Sequence, residues 1–265
     1  KKHSKVMCTP KILGYLIIFQ KWLIKCLKIK MILIRSFIFQ IGMWSFTIPF
    51  TALAILTFPL GAISRYNFIS IWAKTILCWL KITCNITFKI KGIQNIPKEP
   101  FMILSKHQSA WETIAFQKIF PPQVWVLKRE LLWIPFFGWG LAMTSPIAID
   151  RKAGKKSLKQ MLEQGIDRVK KGFCIVVFPE GTRTKPKEVG KYHIGGAWLA
   201  VKSNINILPV AHNAGYFWPK NSFIKNPGEI TVSIGPTIQT DKITPEEANK
   251  LSKNWIESEM LKINV

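Results

Sequence analysis

Residues 36 to 64, SFIFQIGMWSFTIPFTALAILTFPLGAIS, run for 29 positions without one charged side chain. As a helix, a run of that length crosses a hydrocarbon layer of about 30 Å, so it reads first as a membrane segment. Pro49 divides it into two apolar halves and Pro59 interrupts the second. Both flanks are basic, with Lys21, Lys25, Lys28, Lys30 and Arg35 before it and Arg65, Lys74 and Lys81 after it. Because basic flanks tend to stay on the cytoplasmic side, both ends belong on one face. The sequence thus predicts a helical hairpin or re-entrant anchor turning near Pro49 in preference to a single crossing. Upstream, Lys21, Lys25 and Lys28 share a helical face while Trp22, Leu23, Ile24, Leu27 and Ile29 occupy the rest, as in a helix lying among lipid headgroups. Residues 66 to 82 repeat that texture, with Trp72, Ile76, Trp79 and Leu80 set against Lys74 and Lys81. Three regions are expected: a basic amphipathic leader at 1–35, anchoring helices at 36–84 and an α/β domain at 85–265.

Charge supports the same division. The chain carries +24 overall, from 38 basic and 14 acidic residues, and 48% of it is hydrophobic, which excludes disorder driven by charge. Residues 1 to 98 hold 15 of the basic residues and no acidic one, whereas 99 to 265 hold 23 and 14, giving +15 and +9. Lysines interrupted by long Leu, Ile and Phe runs suit anionic lipid, not nucleic acid. The five cysteines, Cys8, Cys26, Cys78, Cys84 and Cys174, show no metal-ligand spacing and read as reduced, packing thiols of a cytosolic face.

From about residue 85 short apolar runs alternate with helical segments, which predicts an α/β fold with a largely buried sheet. Candidate strands are 86–90, 101–105, 123–127, 146–149, 173–178, 206–211 and 229–234. Leu158, Leu162, Ile166 and Val169 recur at helical spacing before a Gly172 stop. A last helix is marked by Thr244 as cap, Pro245 in the first turn, and Glu246 and Glu247 facing the positive end of the helix dipole.

Three stretches carry chemistry. In ILSKHQSAWET, residues 103 to 113, His107 follows a strand and Glu112 stands five positions on. Five residues do not share a helical face, so the two meet only if His107 lies in the turn and Glu112 in the first helical turn. The carboxylate would then hold one imidazole nitrogen and leave the other free as a base. Alternatively, Ser109 and Glu112 form a capping box that merely starts the helix, and spacing alone does not separate the two readings. In VVFPEGTRT, residues 176 to 184, a strand ends in Pro179, Glu180, Gly181, Thr182 and Arg183, where turn amides, a hydroxyl and a planar guanidinium suit an oxyanion. The plainer alternative is a Pro-Gly turn with Glu180 and Arg183 paired on the surface. In KRELLWIPFFGW, residues 128 to 139, Lys128 closes a strand as a further phosphate contact or a solvated cation. Leu132, Trp133, Phe136 and Phe137 face lipid, an acyl chain or the core.

The order of these stretches, together with PIAIDR around Asp150 and Arg151, GGAWLA after Gly195, and ILPVAHNAG with Pro209 and Val210, resembles the 1-acylglycerol-3-phosphate acyltransferases of the PlsC type over roughly residues 60 to 240. The resemblance implies a single mixed sheet flanked by helices behind an N-terminal membrane anchor. It implies acyl transfer from an acyl-thioester of acyl carrier protein or coenzyme A to the free hydroxyl of lysophosphatidate, forming phosphatidate at the cytoplasmic face of a bacterial inner membrane. In these terms His107 is the base, Glu112 its orienting acid, and Lys128, Gly181, Thr182 and Arg183 the phosphate grip, while Glu180 and Pro179 support the loop. The family usually has Asn before the His and Asp as the acid, where this chain has Lys106 and Glu112; Thr184 stands where Ser is common. Sequences with the Glu form are part of the resemblance.

No metal or organic cofactor is expected, since His3, His107, His193 and His212 lack companions at ligand spacing, and His193 and His212 read as structural. Membrane lipids, lysophosphatidate and the thioester carrier are the expected partners, with nucleic acid excluded. Glycerol-3-phosphate or another lysophospholipid fits the same grip. A membrane hydrolase would need its own nucleophile, and no GxSxG elbow exists, although Ser105 and Ser109 flank His107. A non-catalytic basic membrane-binding protein explains the charge but leaves the ordered motifs unexplained.

Overall fold

A computed structural model describes residues 10–150 and 154–263; His3, Cys8 and Arg151 lie outside the described residues. The apolar N-terminal run forms α1 (Pro10–Leu56), a helix of 47 residues that continues through Pro49. The expected turn at Pro49 is absent. A proline inside a helix removes one hydrogen bond, a cost that a helix of this length absorbs. The reversal comes at residues 57–61 instead, where Thr57 Oγ1 donates to the Ala54 carbonyl at 2.6 Å and Pro59 cannot extend the helix. The expected boundary at residue 35 likewise falls inside α1.

The chain returns as α2 (Ala62–Cys84), antiparallel to the second half of α1. Trp72 Nε1 donates to Thr47 Oγ1 at 3.2 Å and Trp79 Nε1 to the Phe39 carbonyl at 3.3 Å, which fixes the pairing. Gly42 lets Trp79 approach, since a Cβ there would stand 2.0 Å from its indole nitrogen. Residues 17–56 form the one helix, among the described residues, long and apolar enough to cross a membrane, and only 28% of its most apolar window is buried. Ile18, Phe19, Trp22, Ile24 and Leu27 stand exposed along it. Contiguous apolar exposure on this scale marks a surface that another apolar phase covers.

The rest of the chain is one seven-stranded mixed sheet flanked by helices, in the order β1-β7-β6-β2-β5-β3-β4. The strands are β1 (Ile86–Lys91), β2 (Met102–Ser105), β3 (Gln123–Lys128), β4 (Ile147–Ile149), β5 (Cys174–Val177), β6 (Ile207–His212) and β7 (Gly228–Ile234), each within a residue or two of its expected position. Neighbours pair in parallel except β6 with β7. Every residue of β2, β5 and β6 is buried, which explains why they read as unbroken apolar runs and not as alternating ones. Helices α3 (Trp111–Ile119), α4 (Phe137–Met143), α5 (Lys155–Lys170), α6 (Gly195–Lys202) and α7 (Pro245–Ile263) cover the faces. At the start of α7, Thr244 Oγ1 accepts from the Glu247 amide and Glu247 Oε2 accepts from the Thr244 amide, a reciprocal capping box. The Thr244 donors hold the Glu247 carboxyl below its usual range.

The hairpin is docked on the sheet domain and not tethered loosely to it. Ser36 Oγ accepts from the Lys225 amide at 2.9 Å, Phe39 meets Trp218 edge-on, and Thr51 Oγ1 donates to the Phe136 carbonyl. Arg65 donates to the Met143 carbonyl at the end of α4 and to Ser145 Oγ. Cys26, Cys78, Cys84 and Cys174 are free thiols, and burial pushes the Cys174 thiol up to about 11, as suits an inert packing residue.

Gly42→Ala should therefore overpack the hairpin and cost about 1–3 kcal/mol, whereas Gly14→Ala, with nothing within 4 Å of its Cβ position, should be neutral or slightly stabilising. Thermal unfolding of both variants in detergent checks the contrast; equal midpoints would mean that the Gly42 contact does not hold the hairpin.

Candidate active site

Because β2 runs parallel to β5, β5 to β3, and β2 to β6, the carboxyl ends of these central strands open on one edge of the sheet. That edge is where open α/β sheets offer crevices to ligands. His107 follows β2, Lys128 ends β3, the Phe-Pro-Glu-Gly-Thr-Arg turn follows β5, and His212 ends β6. Segments remote in sequence meet here for topological reasons.

His107 Nδ1 lies 2.8 Å from Glu112 Oε1. A carboxylate at that distance selects the tautomer with hydrogen on Nδ1, which leaves the Nε2 lone pair directed away from it. The same Oε1 accepts the backbone N–H groups of Gln108 and Ser109, each at 2.9 Å. Ser109 Oγ in turn accepts from the Trp111 amide at 3.1 Å. Thus the two alternatives left open by spacing coexist: Glu112 starts α3 and touches the imidazole with one oxygen. Burial opposes ionisation of Glu112, but the His212 and His107 imidazoles and the Ser109 amide outweigh it and hold the carboxyl below its usual range.

Three further contacts immobilise His107. Phe178 stacks on the imidazole with centroids 4.0 Å apart and planes 12° from parallel. The backbone is gripped from both sides: Glu180 Oε2 accepts the His107 N–H at 2.7 Å, and the Thr184 N–H donates to the His107 carbonyl at 2.8 Å. Below the pair, fully buried His212 donates from Nε2 to the Lys106 carbonyl at 2.8 Å and accepts from the Ala214 amide on Nδ1. Burial lowers the His212 pKa, and this bonding pattern is that of a neutral, structural imidazole. His193 is exposed and lies away from the pair.

A cavity of about 520 Å³ is lined by His107 together with Lys128, Gly181, Thr182 and Arg183. Its remaining walls are largely apolar and include Trp44 and Phe50 of α1, Trp72 of α2, Trp125, and Leu131 and Phe137 near α4. Gly181 turns at φ +68, a conformation that disfavours side chains. Lys128 and Thr182 are exposed at the cavity and Arg183 is half-buried. Glu180 and Pro179 lie buried behind the loop: Pro179 accepts from the His193 amide, and Glu180 makes no part of the cavity wall. Of the apolar stretch 131–139, Trp133, Phe136, Phe137 and Trp139 are exposed beside the hairpin, so the reading of this segment as core does not hold.

Three residues escaped the sequence reading. Phe178 was legible only as the last strand residue, and its stacking needs the fold. Lys220, whose Nζ donates to the Arg183 carbonyl at 2.7 Å and the Thr182 hydroxyl at 3.3 Å, carries no motif. Lys106 stood out only as a departure from pattern, with no sign that it is buried.

The Acyltransferase family model matches residues 87–213. A 1-acyl-sn-glycerol-3-phosphate acyltransferase of Pseudomonas aeruginosa is 43% identical over 205 residues, which make up 76% of this chain and 80% of that protein. The alpha form of that enzyme from Mus musculus is 27% identical over 76% of this chain and 72% of its own length. The crystal structure of PlsC, the lysophosphatidate acyltransferase of Thermotoga maritima, shares the fold with a TM-score of 0.72 at 20% identity, over 87% of this chain and 95% of that one. With a relative so similar over most of both chains, the protein belongs to the 1-acyl-sn-glycerol-3-phosphate acyltransferase family.

Proposed function

We propose that His107 is the general base of an acyl transfer in phospholipid synthesis, and that Glu112 orients its ring and stabilises the imidazolium. The observation that carries this reading is the 2.8 Å contact between the two side chains at a cavity that also bears Lys128 and Arg183. A lysophosphatidate enters with its phosphate on Lys128, Arg183, the Thr182 hydroxyl and the turn at Gly181, where a guanidinium and an ammonium form charge-assisted hydrogen bonds. Its free sn-2 hydroxyl is a weak nucleophile because its pKa is high, so Nε2 removes the proton as the oxygen attacks the thioester carbonyl. A carbon–oxygen bond forms, the carbon–sulfur bond breaks, and the proton on Nε2 passes to the departing thiolate. The products are phosphatidate and the free thiol carrier. Since the thioester is already activated, the scheme draws on no metal or organic cofactor.

The apolar walls suit an acyl chain, and their makers belong to the hairpin as much as to the sheet. The donor is a thioester of acyl carrier protein or coenzyme A; both are anionic, and a chain of charge +24 attracts either. Basic flanks at Lys21 to Arg35 and at Arg65 to Lys81 support a catalytic domain on the cytoplasmic side of a bacterial inner membrane, where anionic lipid attracts them.

Phosphatidate formation from lysophosphatidate and acyl-thioester in detergent tests the assignment. Wild type is expected to be active, Glu112→Asp to retain part of that rate, and Glu112→Gln and His107→Ala to lose about 10²–10⁴-fold. If all four proteins turn over alike, Glu112 is a helix cap and nothing more, and the catalytic assignment is abandoned.

The phosphate grip is probed separately. Arg183→Ala and Lys128→Ala should raise KM for lysophosphatidate about tenfold or more, as expected for loss of a charged hydrogen bond, with a smaller change in kcat. Unaltered KM in both variants would move the phosphate elsewhere.

A further inference from the structure

Lys106 precedes His107 in the β2–α3 turn, yet its side chain points away from the substrate cavity and is 1% exposed. Its ammonium meets three oxygens: Glu180 Oε1 at 2.8 Å, Glu257 Oε1 at 2.8 Å and the Glu188 carbonyl at 3.0 Å. Glu257 lies on α7, 151 residues further along the chain. The Tyr192 hydroxyl donates to the same Glu257 oxygen at 2.8 Å. Burial and then the neighbouring Glu180 and Glu257 carboxylates push the Tyr192 pKa up, so the phenol stays a donor. On the near side, Glu180 uses its other oxygen to accept the His107 N–H at 2.7 Å. An unbroken series of polar contacts therefore runs from the C-terminal helix, through one buried ammonium, to the backbone of His107.

The Lys106 backbone is secured independently, its N–H donating to the Val210 carbonyl and its own carbonyl accepting from His212. What the side chain adds is control of Glu180, whose buried carboxylate would otherwise face the partly buried Glu257 with no cation between them. Burial raises the Glu180 pKa, and the Lys106 charge works against that rise. None of Lys106, Glu180 and Glu257 lines the cavity that holds the proposed phosphate grip.

We propose that Lys106 and Glu257 act as a positioning pair for His107, transmitting the placement of α7 through Glu180 to the imidazole. This rests on the reading of His107 as the base. A shift of about 1 Å in a base can cost about 100-fold in rate while leaving ground-state binding intact. The pair therefore governs kcat and leaves KM for lysophosphatidate alone.

The test compares Lys106→Asn, Glu257→Gln and the double variant with wild type and His107→Ala, all full length in detergent, with thermal unfolding to confirm that each is folded. Each single variant should lose about tenfold or more in kcat at unchanged KM, and the double variant should lose about as much as Lys106→Asn alone, because the two side chains act through one path. Should Lys106→Asn fail to fold, the kcat and KM of Glu257→Gln decide alone. Unchanged kcat in the folded single variants, a rise confined to KM, or a double variant showing the product of the two losses would each overturn the proposal. An inactive His107→Ala beside fully active single variants removes only the positioning pair; an active His107→Ala removes the base assignment, and the pair with it.

Discussion

Glu112 Oε1 accepts the amides of Gln108 and Ser109 while touching Nδ1 of His107, so one buried carboxylate oxygen both begins α3 and sets the imidazole in its plane. A charge so buried persists only because its donors are in place, and those donors are the backbone of the very turn that carries the histidine. Helix initiation and ring orientation are thereby one interaction. The turn cannot relax without losing the charge, and the charge cannot be removed without loosening the turn. From the other side Phe178 stacks on the ring, and Glu180 and Thr184 bracket the backbone, so the motif after β5 serves the motif after β2.

The hairpin has a similar double role. It offers apolar surface along α1 on a scale that water does not tolerate, and its inner residues Met43, Trp44, Thr47 and Phe50 close one side of the cavity that His107 opens on. An anchor and a catalytic domain that read as separate regions in the sequence thus share a wall. The cavity is thus apolar on its hairpin side and carries Lys128 and Arg183 on another, a division that suits an amphiphilic ligand.

Much of this was legible beforehand where chemistry is local. The seven apolar runs became seven strands, and Thr244 with Glu247 formed the cap their spacing promised. His107, Lys128, Gly181, Thr182 and Arg183 meet around one cavity. Pro49 misled because a proline inside a long helix removes only one hydrogen bond, so α1 runs through it and the chain reverses at residues 57–61. The burial of Lys106 was illegible for another reason. A lysine is expected to be solvated, and only the convergence of Glu180 from one loop with Glu257 from α7 makes its burial tolerable.

The sequence by itself determined the apolar N-terminal run, the α/β texture and the order of the motifs, because hydrophobic length, strand patterning and short-range spacing are properties of neighbouring residues; the family rested on the resemblance of those motifs. It also determined that Glu112 could reach His107, though not whether it does so or merely caps α3. The tertiary structure alone decided that one oxygen does both, that the chain reverses at Pro59 and not Pro49, that the hairpin walls the cavity, and that a lysine lies buried between two distant carboxylates. The hairpin wall and the buried lysine depend on contacts across tens to hundreds of residues, and even the short-range Glu112 contact depends on the backbone path of the turn, which spacing does not give.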